Sequence, residues 1–294
     1  MPEPRDDLLV EPDWLEAHLH DPAMRVFDCT LTRIAQPSGA SLWQSGREDW
    51  EKSHIPGAGY LHMVDDFCDA SALVPLTLAD AADVASVLSG YGVTADSTIV
   101  LYGAGSFSVI HRVWWVLAVS GARDVRILDG GWRRWVDEGR SVETGIPEFT
   151  PASFDGVVQD TMLVTGDDVA GMVGDAATCL IHSLSHEQFL GTGGQVYGRA
   201  GRIPGSVNVP AQELIDPKTG CFRTVGELTG IFARAGLDGA RVIVPYCGGG
   251  IAASTVFFAL KLLGYENVRL YDDSLLGWTR DPAAPMVVGP DSAS

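Results

Sequence analysis

The sequence predicts an α/β protein built twice over: two tandem domains, each a parallel β-sheet with helices on both faces. Three observations carry that expectation: an internal repeat, an alternation of β-branched with helical segments, and a strand–glycine–helix turn near the C-terminus. In the repeat, Thr98-Ile99-Val100-Leu101-Tyr102-Gly103 is echoed by Val242-Ile243-Val244-Pro245-Tyr246-Cys247. His54-Ile55-Pro56-Gly57-Ala58 is echoed by Arg202-Ile203-Pro204-Gly205-Ser206, Val125-Arg126-Ile127-Leu128-Asp129 by Val268-Arg269-Leu270-Tyr271-Asp272, and Trp135 by Trp278. Each match alone is weak, but all of them in the same chain order imply a duplicated domain. Short β-branched stretches alternating with amphipathic ones argue parallel strands joined by helical crossovers.

Along the chain, the opening Met1-Pro2-Glu3-Pro4-Arg5-Asp6-Asp7 is too acidic and too poor in apolar residues for a signal peptide. In the first copy, the turn after the Thr98 strand reads Gly103-Ala104-Gly105-Ser106 and holds no nucleophile. That domain is expected to be catalytically silent and to help wall the site of the second. From Glu138 to Val158, Gly139, Gly145, Pro147, Pro151 and Gly156 fall without periodicity, as in a linker. The expected units are therefore 1–140, a linker at 141–158, and a catalytic domain at 159–294. In the second copy, Thr224-Val225-Gly226-Glu227 is a capping box opening a helix that Gly236 closes. A buried strand over 242–246 follows, then a helix from Ala253 through Leu263 stopped by Gly264, then a strand around Val268–Tyr271.

Composition narrows the function. The 294 residues are 46% hydrophobic and 20% charged, as in an ordinary globular protein, and are enough for two full cores. With 20 basic against 38 acidic residues the net charge is −18, which argues against nucleic acid as a partner. An anionic substrate would then need a local positive group. No apolar run approaches the roughly 18 residues that span a bilayer, so no membrane partner is expected. The cysteines Cys29, Cys68, Cys179, Cys221 and Cys247 form no C-x-x-C pair. A disulfide framework and a cysteine-rich zinc site are both disfavoured, and a reducing cytoplasm fits best. Neither a metal nor a cofactor is expected.

The chemistry concentrates at Cys247, where a strand meets a helix through Gly248, Gly249 and Gly250. Three glycines let the backbone curl so that the N–H groups from Gly248 through Ile251 to Ala252 converge near a helix N-terminus. That arrangement stabilises negative charge on whatever Cys247 carries. A lone cysteine is more often a small buried hydrophobe, but the strand, glycine turn and helix together favour a nucleophile.

A tandem domain with His-Ile-Pro-Gly in one half, Ile-Pro-Gly-Ser-Val-Asn in the other and Cys-Gly-x-Gly only in the second resembles the two-domain rhodanese-type sulfurtransferases. Arg112-Val113-Trp114-Trp115 and Leu128-Asp129-Gly130-Gly131-Trp132 add to the resemblance, which runs from about Trp14 to about Pro285. It implies that a sulfane sulfur passes from a donor onto Cys247 as a persulfide, then to a thiol or cyanide acceptor. Backbone N–H groups would hold that anion. Thiosulfate-preferring members place basic residues directly after the cysteine, where this chain has Gly248 and Gly249. The loop looks like the mercaptopyruvate-preferring form, with Gly249 at its hydroxyl position. The family's Asp-x-Arg, whose arginine binds the donor, matches His182-Ser183-Leu184, so that arginine is missing. Arg199 and Arg202 are the nearest replacements in the sequence. The resemblance also places His54 at a position facing the cleft, with Asp49 five residues before it, and makes both catalytic candidates beside Cys247. Asp129 and Asp272 are read as binding local backbone N–H groups, and Trp114, Trp115, Trp132, Trp135 and Trp278 as core or interface aromatics. A cysteine phosphatase is disfavoured, because the arginine it needs six positions after the cysteine is Ala253 here. A non-catalytic sulfur-carrier module is the other reading of the same loop.

Overall fold

The computed structural model describes residues 6–35, 41–237 and 241–290. Met1–Arg5 of the acidic opening segment and the outermost ends of the two expected domain ranges lie outside the described residues. In the first half the order is β1 (Leu9–Val10), α1 (Pro12–His18), β2 (Met24–Asp28), β3 (Leu31–Ala35), β4 (Ser41–Ser45), α2 (Arg47–Lys52), β5 (Gly59–Tyr60), α3 (Met63–Phe67), α4 (Ala81–Gly90), β6 (Thr98–Tyr102), α5 (Phe107–Val119), β7 (Asp124–Leu128) and α6 (Gly131–Asp137). The second half runs β8 (Leu163–Val164), α7 (Gly166–Met172), β9 (Thr178–His182), α8 (His186–Leu190), β10 (Val207–Asn208), α9 (Val225–Arg234), β11 (Val242–Tyr246), α10 (Ile251–Leu262), β12 (Leu270–Tyr271) and α11 (Ser274–Trp278).

The first sheet is parallel in the order β1-β7-β6-β2-β5. In the second, β10-β9-β11 and β12-β8 are parallel, joined by a parallel bridge from Ile243 to Val268. Strand for strand the two orders match. Register repeats as well: Asp28 pairs with Tyr102 and His182 with Tyr246. The Tyr102 hydroxyl accepts the Ile55 N–H at 3.2 Å, and the Tyr246 hydroxyl accepts the Ile203 N–H at 3.0 Å. The repeated Ile-Pro-Gly is thus a loop tied to the end of a central strand in each half.

Side chains alternate across each strand with period two. In β6, Val100 and Tyr102 face an outer cluster with Leu15, Ile55 and Trp135, while Ile99 and Leu101 face the other way. In β11, Val244 and Tyr246 join Val169, Ile203 and Trp278, while Ile243 turns inward. The inward faces of both sheets share one core, which contains α5 and α10. These two helices are apolar nearly all round, because each is covered by its own sheet and by the other helix. Trp114 meets Phe258 edge-on at 4.9 Å, and Thr255 donates to Ser108 at 3.1 Å across the same seam.

Loops cross the seam reciprocally. The Leu78 N–H of the first half donates to Asp272 at 2.9 Å, and the Phe222 N–H of the second donates to Asp129 at 3.0 Å. Both aspartates were expected to bind backbone N–H groups nearby in sequence, but these partners come from the opposite half. Segment 138–158 holds no helix or ladder strand and lies along the first half, with Phe154 buried and the Ala152 N–H donating to Ser89. No helix among the described residues is long and apolar enough to cross a membrane.

Candidate active site

Cys247 lies at the carboxyl end of β11, the usual position of a ligand site in a parallel sheet. It is 2% exposed and lines a cleft of ≈ 780 Å³ between the halves. The loop after it is held from below by Ser274, which is buried with a φ of 49°. The Ser274 hydroxyl accepts the N–H groups of Cys247 (3.0 Å) and Gly250 (3.2 Å) and donates to the Tyr271 carbonyl (2.8 Å). Leu275 and Leu276 donate to the Cys247 and Gly248 carbonyls, pinning the same turn from α11.

Two glycines are dictated by contact. Gly250 has a φ of 78°, and a Cβ there would come within 2.6 Å of an Asp272 carboxylate oxygen and 2.9 Å of the Arg112 guanidinium. Those two form a buried ion pair at 2.5 Å directly beneath the loop, and Arg112 also donates to the Leu76 carbonyl at 3.0 Å. At Gly248 a Cβ would lie 2.4 Å from the Tyr197 ring, so that ring is packed on the loop. Burial pushes the Tyr197 hydroxyl up, the Arg33 guanidinium opposes this, and Cys247 adds to it.

The expected ring of donors from Gly248 to Ala252 is smaller than the sequence suggests. Gly250 gives its N–H to Ser274, and Ile251 gives its N–H to the Gly249 carbonyl at 3.1 Å. Gly248 and Gly249 have no acceptor among the described residues. Ala252 belongs to the first turn of α10, where N–H groups lack intrahelical partners.

The basic and acidic candidates lie elsewhere. Arg202 is 1% exposed, donates to the carbonyls of Phe189 (3.3 Å) and Gly289 (2.8 Å), and sits over the Phe189 ring. Arg199 donates to the carbonyls of Asp281, Pro282 and Ala284. Both fasten the C-terminal segment, and neither lines the cleft of Cys247. His54 is fully buried in the first half, donating through Nδ1 to the Trp50 carbonyl at 2.8 Å. Asp49 is exposed and pairs with Lys52 at 2.8 Å. The structure therefore brings neither to Cys247, a correction to the reading from the sequence. Position relative to Ile-Pro-Gly shows where these residues fall in the chain but not which way they point.

Other residues complete the cleft, and of these the sequence suggests only Arg33, as a first-domain alternative to Arg199 and Arg202 for holding the anion. Arg33 and Trp43 arrive on the β3–β4 hairpin, Leu76 from the loop before α4, and Tyr197 from the glycine-rich stretch after α8. Ser183, 1% exposed, lines the cleft with a hydroxyl that has no hydrogen-bond partner. The only local signal was Tyr197, a lone aromatic among Gly191, Gly193, Gly194, Gly198 and Gly201. Burial pushes the thiols of Cys29 and Cys221 up, and those of Cys68 and Cys179 up to about 11.

In the first half, the turn at the position of the Cys247 loop is occupied by its own chain. Ala104 donates to the Thr30 hydroxyl at 2.9 Å and Ser106 to the Leu31 carbonyl at 2.9 Å.

Comparison with known proteins agrees with this duplicated geometry. The sequence model of the Rhodanese-like domain matches residues 11–138 and again 171–281. The chain is 31% identical to a probable 3-mercaptopyruvate sulfurtransferase of Pseudomonas aeruginosa, over 94% of this chain and 96% of that one. It is 29% identical to the sulfur carrier protein TtuD of Thermus thermophilus, over 96% and 97%. The crystal structure of SseA from Escherichia coli superposes with a TM-score of 0.78 at 27% identity, covering 91% of this chain and 98% of that chain. With two matches that together span most of its length, the chain belongs to the rhodanese-like domain family and carries the domain in tandem.

Proposed function

We propose that the protein is a sulfurtransferase that carries sulfane sulfur as a persulfide on Cys247. The observation that supports it most is the placement of Cys247 in a mostly apolar cleft, at a loop whose Gly248 and Gly249 N–H groups are uncommitted. In the first step the Cys247 thiolate attacks the donor sulfur, and the donor's bond to that sulfur breaks. A mercaptopyruvate-like donor leaves as its enolate, which takes the proton released by the new persulfide. Fixed N–H dipoles stabilise the persulfide anion without reorganisation. A mercaptopyruvate-like donor is preferred over thiosulfate in this reading, because Gly248 and Gly249 offer no side-chain charge to a sulfonate. Arg33, the cation of the cleft wall, takes the donor-binding part that the sequence assigned to Arg199 or Arg202. The first domain serves as wall and is catalytically silent, its matching turn being filled by Thr30 and Leu31.

The similarity to a sulfur carrier protein supports a second reading, in which the persulfide forms but is not turned over on small acceptors. Mixing the protein with 3-mercaptopyruvate or thiosulfate and weighing it decides the first question. A gain of one sulfur atom located on Cys247 is expected, and Cys247→Ser should abolish it. Turnover with cyanide or a thiol then separates enzyme from carrier. Persulfide on another cysteine, with Cys247 unmodified, would overturn the assignment.

A further inference from the structure

The cleft is far larger than a three-carbon keto acid requires. Its ≈ 780 Å³ amounts to roughly 25 water volumes at about 30 Å³ each. Pockets that enclose drug-sized ligands run to roughly 300–1,000 Å³ and are mostly apolar with a few placed polar groups. This one has that character. Trp43, Leu76 and Phe107 come from the first half, and Leu184, Val196 and Leu276 from the second. Serine and glutamine side chains also reach the wall, and among its polar groups are the unpartnered Ser183 hydroxyl and the guanidinium of Arg33 on the hairpin.

Resting on the sulfurtransferase reading, we propose that the acceptor is an organic thiol with a bulky apolar or aromatic body and a carboxylate that reaches Arg33. Cyanide or a minimal thiol would leave the apolar wall wet. An acceptor that fills the space covers Trp43, Leu76 and Phe107 and sets its thiol against the persulfide. The acceptor thiol gives its proton to the persulfide anion, and the thiolate so formed attacks the outer sulfur of Cys247–S–SH. The Cys247–sulfur bond breaks, Cys247 leaves as thiolate, and the product is the acceptor persulfide R–S–SH. No external oxidant or reductant enters.

The test uses N-acylcysteines, which keep one thiol and one carboxylate while the acyl body grows from acetyl through benzoyl to 2-naphthoyl. Full-length protein is loaded with sulfur from polysulfide, and loading is checked as the mass gain on Cys247. The acceptor step is then followed in single turnovers. The second-order rate should rise by about tenfold or more, equivalent to about 1.4 kcal/mol, from the acetyl to the naphthoyl compound. Trp43→Ala should erase most of that rise. The methyl ester of the naphthoyl compound should react about tenfold more slowly than the acid with wild type, and equally with Arg33→Ala. A flat series on loaded protein overturns the proposal and leaves the sulfurtransferase reading intact. Failure to load Cys247 with any sulfur source overturns both.

Discussion

Among single residues, Cys247 is set apart by its place in the cleft, while burial pushes the thiols of Cys29, Cys68, Cys179 and Cys221 up. Changing Cys29, Cys68, Cys179 or Cys221 to Ser singly should leave sulfur loading unchanged, whereas Cys247→Ser should give no added mass. The arginines divide by task. Arg33→Ala should raise the donor KM by about tenfold, since a charge-assisted hydrogen bond contributes about 1.5–3 kcal/mol, and should leave the melting temperature nearly unchanged. Arg202→Ala should do the reverse. It removes a buried cation from two carbonyls and the Phe189 ring, and a loss of about 2–3 kcal/mol in denaturant unfolding is expected with KM unaltered. A wild-type donor KM for Arg33→Ala would return the anion to the backbone N–H groups alone.

At the scale of elements, the turn between β11 and α10 depends on Ser274 and Gly250. Ser274→Ala leaves the N–H groups of Cys247 and Gly250 without their acceptor, and each buried unpaired donor costs about 1–3 kcal/mol. Loading of Cys247 in single turnovers should slow by about tenfold, and an unchanged rate would mean that the loop keeps its shape without the hydroxyl. Gly250→Ala should be worse, because its Cβ meets the Asp272–Arg112 pair in addition to the left-handed backbone cost of about 1–2 kcal/mol. Gly139, also left-handed but with nothing near its Cβ, is the matched control. Most of this element was legible in the sequence. The β-branched run gave β11, Gly264 gave the end of α10, and the Thr224 capping box is present with both of its hydrogen bonds. Ser274 and Tyr197 were not legible, because their roles depend on contacts across loops and across the seam. No local period or spacing encodes those. His54 and Asp49 were misplaced for the same reason: a repeated motif fixes a chain position, while the side chain's direction depends on what packs around it.

The whole molecule is closed by its shared core and by the two aspartates that bind across it, so the halves should melt together. Acid should weaken it. Burial, with Arg202 close by, pushes His182 down to about 4, and burial pushes His111 down to about 3. Each is depressed below its unfolded value of about 6.5, so the unfolded chain binds protons first and stability is lost as pH falls through that value. By pH 5 each contributes a loss of about 2 kcal/mol. Asp28 works in the opposite direction. Burial raises it to about 6, so protonation in the folded state returns about 1 kcal/mol over the same interval. The melting temperature should therefore fall between pH 7.5 and pH 5, and His182→Leu should fall less than wild type. Equal slopes would remove His182 as a cause. The β3–β4 hairpin also bears on the matching turn of the first half. Gly103 occupies the position that Cys247 holds in the second half, and a Cβ there would lie 3.3 Å from the Thr30 nitrogen, while one at Gly105 would lie 2.4 Å from the Leu31 carbonyl oxygen. A Gly103→Cys variant would press its thiol against the link between β2 and β3, where the Thr30 hydroxyl and the Leu31 carbonyl already hold the turn's donors. A thiol placed there would face the smaller cavity of the first half, ≈ 170 Å³, with the turn's donors already taken. In the proposed reading, the chain that walls the Cys247 centre through Arg33 and Trp43 also takes up the donors of the first half's matching turn, so one hairpin ties the two turns together.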